Sequence, residues 1–185
     1  MKLKIFPPKE YRKQIAKEQQ PYDTSLKAWF LGYESWFIGR YLFFLRYAEW
    51  YRLNNSLFFN RILGGCVKIL YRKYGRKTGF QIGLNTCEFG IRFYHLGWCI
   101  VNSKAHIGKN VTFYPGVCIG MKDLDEVPTV GDNVFIGLGA KVIGKVRIGD
   151  NVTIAPNAVV TKDVPDNAVV GGIPAKIIRM KTSSQ

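Results

Sequence analysis

The chain is expected to fold as a mainly β, parallel solenoid preceded by a helical region, on three observations. Apolar residues recur at every sixth position through the second half. A second column, four residues later, contains only Ala and Val. The first half concentrates aromatic and basic residues at helical spacings. The division falls near Thr78. Residues 1–78 hold 16 Lys/Arg against 5 Asp/Glu, net +11, and 18 of the 26 aromatic residues; residues 79–185 hold 11 against 8, net +3.

Across 185 residues, 47% hydrophobic and 22% charged, there is enough apolar material for a packed core, which excludes wholesale disorder. Arg40, Arg46 and Arg52 interrupt the most apolar region, so a spanning helix is not expected. The basic start, MKLKIFPPKEYRKQ, lacks the apolar stretch of a signal peptide, and a cytoplasmic protein is expected. Cys66, Cys87, Cys99 and Cys118 form no CxxC pair, and two histidines cannot build a three-histidine metal site; no metal requirement is expected.

Within residues 1–78, Trp36, Phe37, Arg40, Tyr41, Phe44, Leu45, Tyr47 and Ala48 follow three- and four-residue spacings that suit helices. Three are expected, around 8–19, 25–53 and 56–75. Asn54 and Asn55 mark a break, with Ser56 as an N-cap.

From residue 79 the grammar changes. Val101, Ile107, Phe113 and Ile119 lie six apart; after one offset of five, Val130, Ile136, Val142, Ile148, Ile154 and Val160 continue the column. All ten are apolar, which chance would give in about one register in two thousand. The second column runs Ala105, Val111, Val117, Val134, Ala140, Val146, Val152, Ala158 and Val164, and Gly108, Gly120, Gly131, Gly137 and Gly149 follow the first. A six-residue unit with one large and one small inward side chain buries nothing alone. Units must therefore stack into a prism with strands as faces and Gly/Asn turns as corners.

The hexads IGKNVT, VGDNVF, IGLGAK, IGDNVT and IAPNAV, then VTKDVPDNAVVGGIPAKIIR, resemble the hexapeptide-repeat acyltransferases, whose fold is a left-handed β-helix. The run HLGWCIVNSKAHIGKNVTFYPGVCIG and the terminal GGIPAK most resemble serine acetyltransferases and their shorter relatives in capsular or surface polysaccharide biosynthesis. The likeness covers about residues 78–181, and the handedness is implied by it alone.

Acetyl transfer to a hydroxyl needs a base, and histidine suits neutral pH. His95 lies six residues before Val101, where the column would place an aliphatic residue. From the residues alone it is either a satisfied histidine at the start of the repeat or a functional one; the resemblance implies that it is catalytic. His106 falls at an outward position and is taken as a surface residue. In serine acetyltransferases an aspartate precedes the matched histidine and a second histidine precedes the proline of a protruding loop. Here those places hold Tyr94 and Val127, and the Gly120–Thr129 loop is shorter. Tyr94, a backbone carbonyl or Glu88 is left to orient the ring, and free serine is disfavoured as acceptor. Asp123, Asp125 and Glu126 either contact an acceptor or keep the loop solvated.

For the acetyl-CoA cosubstrate, the resemblance implies contacts at Leu138, Pro156, Thr161, Lys162 and Arg179, with Ala140 and Lys176 nearby, in a groove between prisms of a homotrimer. Lys162 and Arg179 are the phosphate candidates. No cysteine shows a signature of activation, so direct transfer is expected. The expected function is acetyl-CoA-dependent O-acetylation of a hydroxyl on a sugar or glycan precursor; serine O-acetylation and a non-catalytic trimeric scaffold or membrane-associated binding module are the alternatives. Residues 1–78 are read as a helical cap joining subunits or as a peripheral membrane contact, with WFIGRYLFFLRYAEWYR the segment singled out. No recognition motif accompanies the charge, so nucleic acid is not expected as a partner.

Overall fold

A computed structural model describes residues 5–182. The chain divides into two compact units, Met1–Gly79 and Phe80–Gln185.

Among the described residues the first unit contains four helices, α1 (Lys9–Gln19), α2 (Leu26–Phe30), α3 (Glu34–Leu53) and α4 (Phe58–Thr78). The single helix expected over 25–53 is two. Gly32, at φ +69°, takes a left-handed conformation that no helix continues through, and the chain restarts at Glu34. Ser25 caps α2 by accepting the Ala28 N–H at 3.1 Å. Ser56 caps nothing: the residue before α4 is Leu57, without a side-chain cap.

Helix α3 is apolar on nearly every side and forms the centre of this unit, burying Trp36, Ile38, Tyr41, Leu42, Leu45, Ala48, Trp50 and Tyr51. Helix α4 lies against it through aromatic pairs, Phe44 stacked on Tyr74 at 5.3 Å and Tyr41 near Tyr71 at 5.6 Å. A cluster of charges is enclosed, Arg46 with Glu18 and Glu49. Arg46, 1% exposed, donates Nε and Nη2 to the two Glu18 oxygens and Nη1 to Glu49, each at 2.8 Å. Its backbone carbonyl accepts the Tyr11 hydroxyl at 2.9 Å. Burial disfavours the guanidinium charge, yet hydrogen bonding and attraction from Glu18 and Glu49 reverse that and hold its pKa above the ordinary arginine value. Burial, reinforced by Glu49, raises the Tyr11 hydroxyl in turn.

The second unit is a three-faced parallel solenoid. One face stacks β1 (Phe80–Ile82), β3 (Cys99–Val101), β6 (Val117–Gly120), β9 (Lys141–Ile143) and β12 (Val159–Val160). The second stacks β4 (His106–Ile107), β7 (Thr129–Val130) and β10 (Arg147–Ile148). The third stacks β2 (Arg92–Phe93), β5 (Thr112–Phe113), β8 (Phe135–Ile136), β11 (Thr153–Ile154) and β13 (Ala168–Gly172), and ends with β14 (Ala175–Met180). Every pairing is parallel except β13 with β14, which is antiparallel. Val142 pairs with Val160 and Val130 with Ile148, 18 residues apart in each case, so a regular coil is three hexads. Every residue of both predicted columns is buried, none more than 6% exposed. The offset of five is the Gly120–Thr129 loop, which lengthens one coil to 23 residues between Ile107 and Val130.

The recurring Gly-Asp-Asn has a physical cause. At one corner, Asp132 Oδ1 accepts the Lys109 N–H at 2.7 Å, Asp150 accepts that of Asp132 at 2.7 Å, and Asp166 accepts that of Asp150 at 2.8 Å. Each carboxylate reaches across to the neighbouring coil and satisfies an N–H that the turn would otherwise leave open. It passes directly over the glycine of that coil. A Cβ on Gly131 would collide with Asp150 Oδ1 and lie 2.9 Å from the Gly149 backbone, so these glycines serve close approach rather than unusual φ. The following Asn110, Asn133, Asn151 and Asn167 take left-handed φ of 56°, 57°, 58° and 60°, a conformation Asn tolerates better than most residues. Their side chains pair between coils, Asn110 with Asn133 at 3.1 Å and Asn151 with Asn167 at 3.2 Å.

Two stability outcomes are expected. Glu18→Ala leaves the buried Arg46 with half its compensation and lowers the unfolding free energy of the helical unit by about 3–5 kcal/mol in urea titration. Gly131→Ala costs about 1–3 kcal/mol by forcing two coils apart, whereas Gly65→Ala in α4, where an added Cβ meets nothing within 4 Å, stabilises by about 0.5–1 kcal/mol.

Candidate active site

The solenoid edge joining the third face to the first carries the residues that matter. Residues 94–98 turn this corner in the first coil, Tyr114 to Gly116 in the second, Gly137 to Gly139 in the third and Ala155 to Asn157 in the fourth. Backbone bonds tie the corners together: Gly116 N–H donates to Trp98 C=O at 2.5 Å, Gly139 to Pro115 at 2.8 Å and Asn157 to Leu138 at 2.7 Å. His95, Leu138 and Pro156 therefore stand on one edge, all exposed.

His95 is not in the inward column. Phe93 takes the buried place and stacks between Phe80 at 4.1 Å and Phe113 at 5.4 Å. The cause is a longer coil, Phe93 pairing with Phe113 20 residues on rather than 18. The two extra residues widen the corner and put His95 on its outside. There its ring meets the edge of Tyr114 at 6.4 Å, and Tyr94 stacks on Tyr114 at 5.2 Å. Tyr114 continues to Phe135 at 5.2 Å. Trp98, 75% exposed, closes the same corner. Tyr114 and Trp98 were not singled out in the sequence, because the aromatic file spans coils of unequal length and falls off the six-residue step.

Glu88 lies on a different face from the corner that carries His95. It sits on the second face with His106 Nε2 and Lys109 Nζ each 3.7 Å from its oxygens, while His106 opens β4 and points outward. Cys99 is 1% exposed, and burial, with Cys87 and Cys118 adding to it, pushes its thiol well up. It is a core residue without thiolate character.

The proposed coenzyme contacts separate into three groups. Leu138 and Pro156 share the His95 edge. Thr161 and Lys162 lie at the next edge, exposed, just past β12. Lys176 and Arg179 lie on β14, opposite Gly171 and Val169 of β13. Ala140 differs from the rest: it is fully buried, its N–H donates to Gly137 C=O and its C=O accepts from Cys118, so it shapes the edge from inside rather than presenting a surface on it. The Gly120–Thr129 loop projects from the edge where Lys104 pairs with Asp125. That pair gives one loop carboxylate a structural role, and Leu124 stands 85% exposed at the tip. Among the described residues, no cluster of His, Cys, Asp and Glu could hold a metal ion, and no helix is long and apolar enough to cross a membrane.

Comparison with known proteins agrees with this architecture. The bacterial transferase hexapeptide (six repeats) family matches residues 128–162. A serine acetyltransferase of Mycobacterium tuberculosis is 44% identical over 87 residues, 45% of this chain and 38% of that protein. One from Staphylococcus xylosus is 35% identical over 119 residues, 60% of this chain and 55% of that protein. The chain thus spans about half or less of the length of these relatives. Among solved structures, the serine acetyltransferase of Neisseria gonorrhoeae superposes with a TM-score of 0.67 at 22% identity, covering 96% of this chain and 68% of that one. That of Brucella abortus gives 0.64 at 23% identity, over 95% and 71%. The solenoid accordingly has the left-handed β-helix fold of these structures, and over part of its length its sequence resembles serine acetyltransferases.

Proposed function

We propose that this chain is an acetyl-CoA-dependent O-acetyltransferase with His95 as general base. The observation that carries the reading is the shared edge: an exposed imidazole in the first coil, with Leu138 and Pro156 two and three coils further along the same ridge. An acceptor hydroxyl beside His95 would lose its proton to the imidazole as its oxygen attacks the acetyl carbonyl. The C–O bond forms, the C–S bond breaks, and the imidazolium returns the proton to the departing coenzyme thiolate. A backbone N–H of the edge would steady the tetrahedral oxyanion. The burial of Cys99 supports direct transfer rather than an acyl-enzyme.

One subunit leaves Lys162 and Arg179 away from the His95 edge. A homotrimer, with the edge of one prism against the face of the next, would bring cations to the phosphates of a coenzyme lying in the groove. This oligomer is part of the proposal.

Serine is the acceptor that the names of the relatives support, and it takes precedence over the sugar hydroxyl expected from sequence. The sugar reading keeps one observation in its favour: Tyr94 and Trp98 share the corner of His95 and are exposed, and aromatic side chains suit a pyranose better than an amino acid zwitterion. A thiol-release assay with acetyl-CoA and a panel of serine, monosaccharides and nucleotide sugars separates them. Serine turnover is the expected result; turnover of a sugar alone moves the acceptor to the second reading; binding of acetyl-CoA without turnover of any member removes serine; and failure to bind acetyl-CoA overturns the enzyme reading.

His95→Ala is expected to lower turnover by about 10²–10⁴-fold with an unchanged circular dichroism spectrum. His106→Ala, altering only the exposed pair with Glu88, is expected to leave the rate within about twofold. The opposite order would exchange their roles.

A further inference from the structure

The segment that sequence reading put forward for membrane contact, WFIGRYLFFLRYAEWYR, is α3, and the fold buries it at the centre of the helical unit. The feature that meets the physical requirements lies one helix later. Helix α4 turns Asn60, Tyr71, Tyr74, Gly75 and Thr78 inward. Its opposite side carries Phe58, Ile62, Cys66 and Ile69, spaced four, four and three residues apart and all exposed. The three large apolar side chains are 72%, 49% and 66% exposed, an unusual cost for a surface turned to water.

Charge identifies the occupant. The helix contains Arg61, Lys68, Arg72, Lys73, Arg76 and Lys77 and no Asp or Glu, and the chain has no carboxylate between Glu49 and Glu88. Lys73 and Arg76 continue the outward stripe past Ile69, while Arg61, Lys68 and Arg72 border it. Pairing two copies of this face would bring like charges together with no carboxylate between them. An apolar stripe edged by cations on a helix too polar to span matches the surface of an anionic bilayer, with the rings and isoleucines among the acyl chains and the cations among phosphates.

We infer that α4 is a peripheral membrane-docking helix that lies on anionic lipid through Phe58, Ile62 and Ile69 with its flanking lysines and arginines. This inference is independent of the acetyl-transfer reading and survives its failure.

The test is vesicle flotation of the full chain with phosphatidylcholine alone and with phosphatidylcholine containing about one third phosphatidylglycerol. Partitioning at least about tenfold stronger on the anionic vesicles, weakened by salt, is expected. Phe58→Ser/Ile69→Ser and Lys73→Glu/Arg76→Glu, both confined to exposed positions, should each reduce it by about tenfold or more with the helical spectrum retained. A second measurement leaves the stripe and its cations unaltered: a polarity-sensitive dye on Cys66, read against dye on a Cys66→Ser control, should shift to the blue on anionic vesicles. Equal binding to both vesicles, an unshifted dye, or variants that bind as tightly as the parent would overturn the inference. So would self-association that the Phe58/Ile69 variant lowers while vesicles stay unbound, or binding to duplex DNA in place of vesicles.

Discussion

A carboxylate that crosses from one coil to the next is the interaction on which the solenoid depends. Backbone groups at the corner of a prism cannot all join the strand ladders, because the chain is turning. Asp132, Asp150 and Asp166 each take an N–H from the coil before. They can do so only because Gly108, Gly131 and Gly149 leave the space through which the carboxylates pass. Asn follows because the turn needs a left-handed residue, and Val or Ala follows because the chain must then dive inward. The Gly-Asp-Asn hexad is thus one corner's chemistry written out once per coil, and equivalent atoms line up along that corner in successive coils.

That dependence explains what could be read in advance. Both inward columns were legible because a buried position every six residues is forced wherever coils have regular length, and the Gly120–Thr129 insertion announced itself as a five-residue offset. His95 was singled out as a rule-breaker on a geometric reading that the fold corrects. Extrapolating the six-residue step beyond Val101 put it in the interior, whereas the 20-residue first coil gives that place to Phe93. Glu88 and His95 looked close along the chain and are on different faces. Neither error could be seen without knowing where the first corner falls, since nothing in the local composition counts the residues in a turn.

The helical unit was harder to read, and for another reason. Helix α3 is apolar almost all round, so its sequence does not distinguish a helix buried in protein from one lying against lipid. Packing decided it: Arg46 held by Glu18 from α1 and Glu49 from its own helix makes a polar knot inside the unit, and an arginine so enclosed has its charge met by protein. The same ambiguity hid α4, whose apolar residues are sparse enough to pass as an ordinary packing stripe until Asn60, Gly75 and Thr78 are seen to be the buried ones. Ser56 failed as a cap because the chain enters α4 one residue later, at Leu57.

The last strand runs against all the others. A stack of parallel coils ends in open backbone groups to which another molecule's coils could be added without limit, the geometry of a growing fibre. On the third face β14 occupies that open edge in the reverse direction, and it carries Lys176 and Arg179 outward. A further coil arriving in parallel would meet a strand of the wrong sense bearing like charge, so on this face the turn after Gly172 acts as a terminus for the repeat. The same short reversal that ends the prism also fixes how many coils it contains, and with that the length of the ridge on which His95 stands.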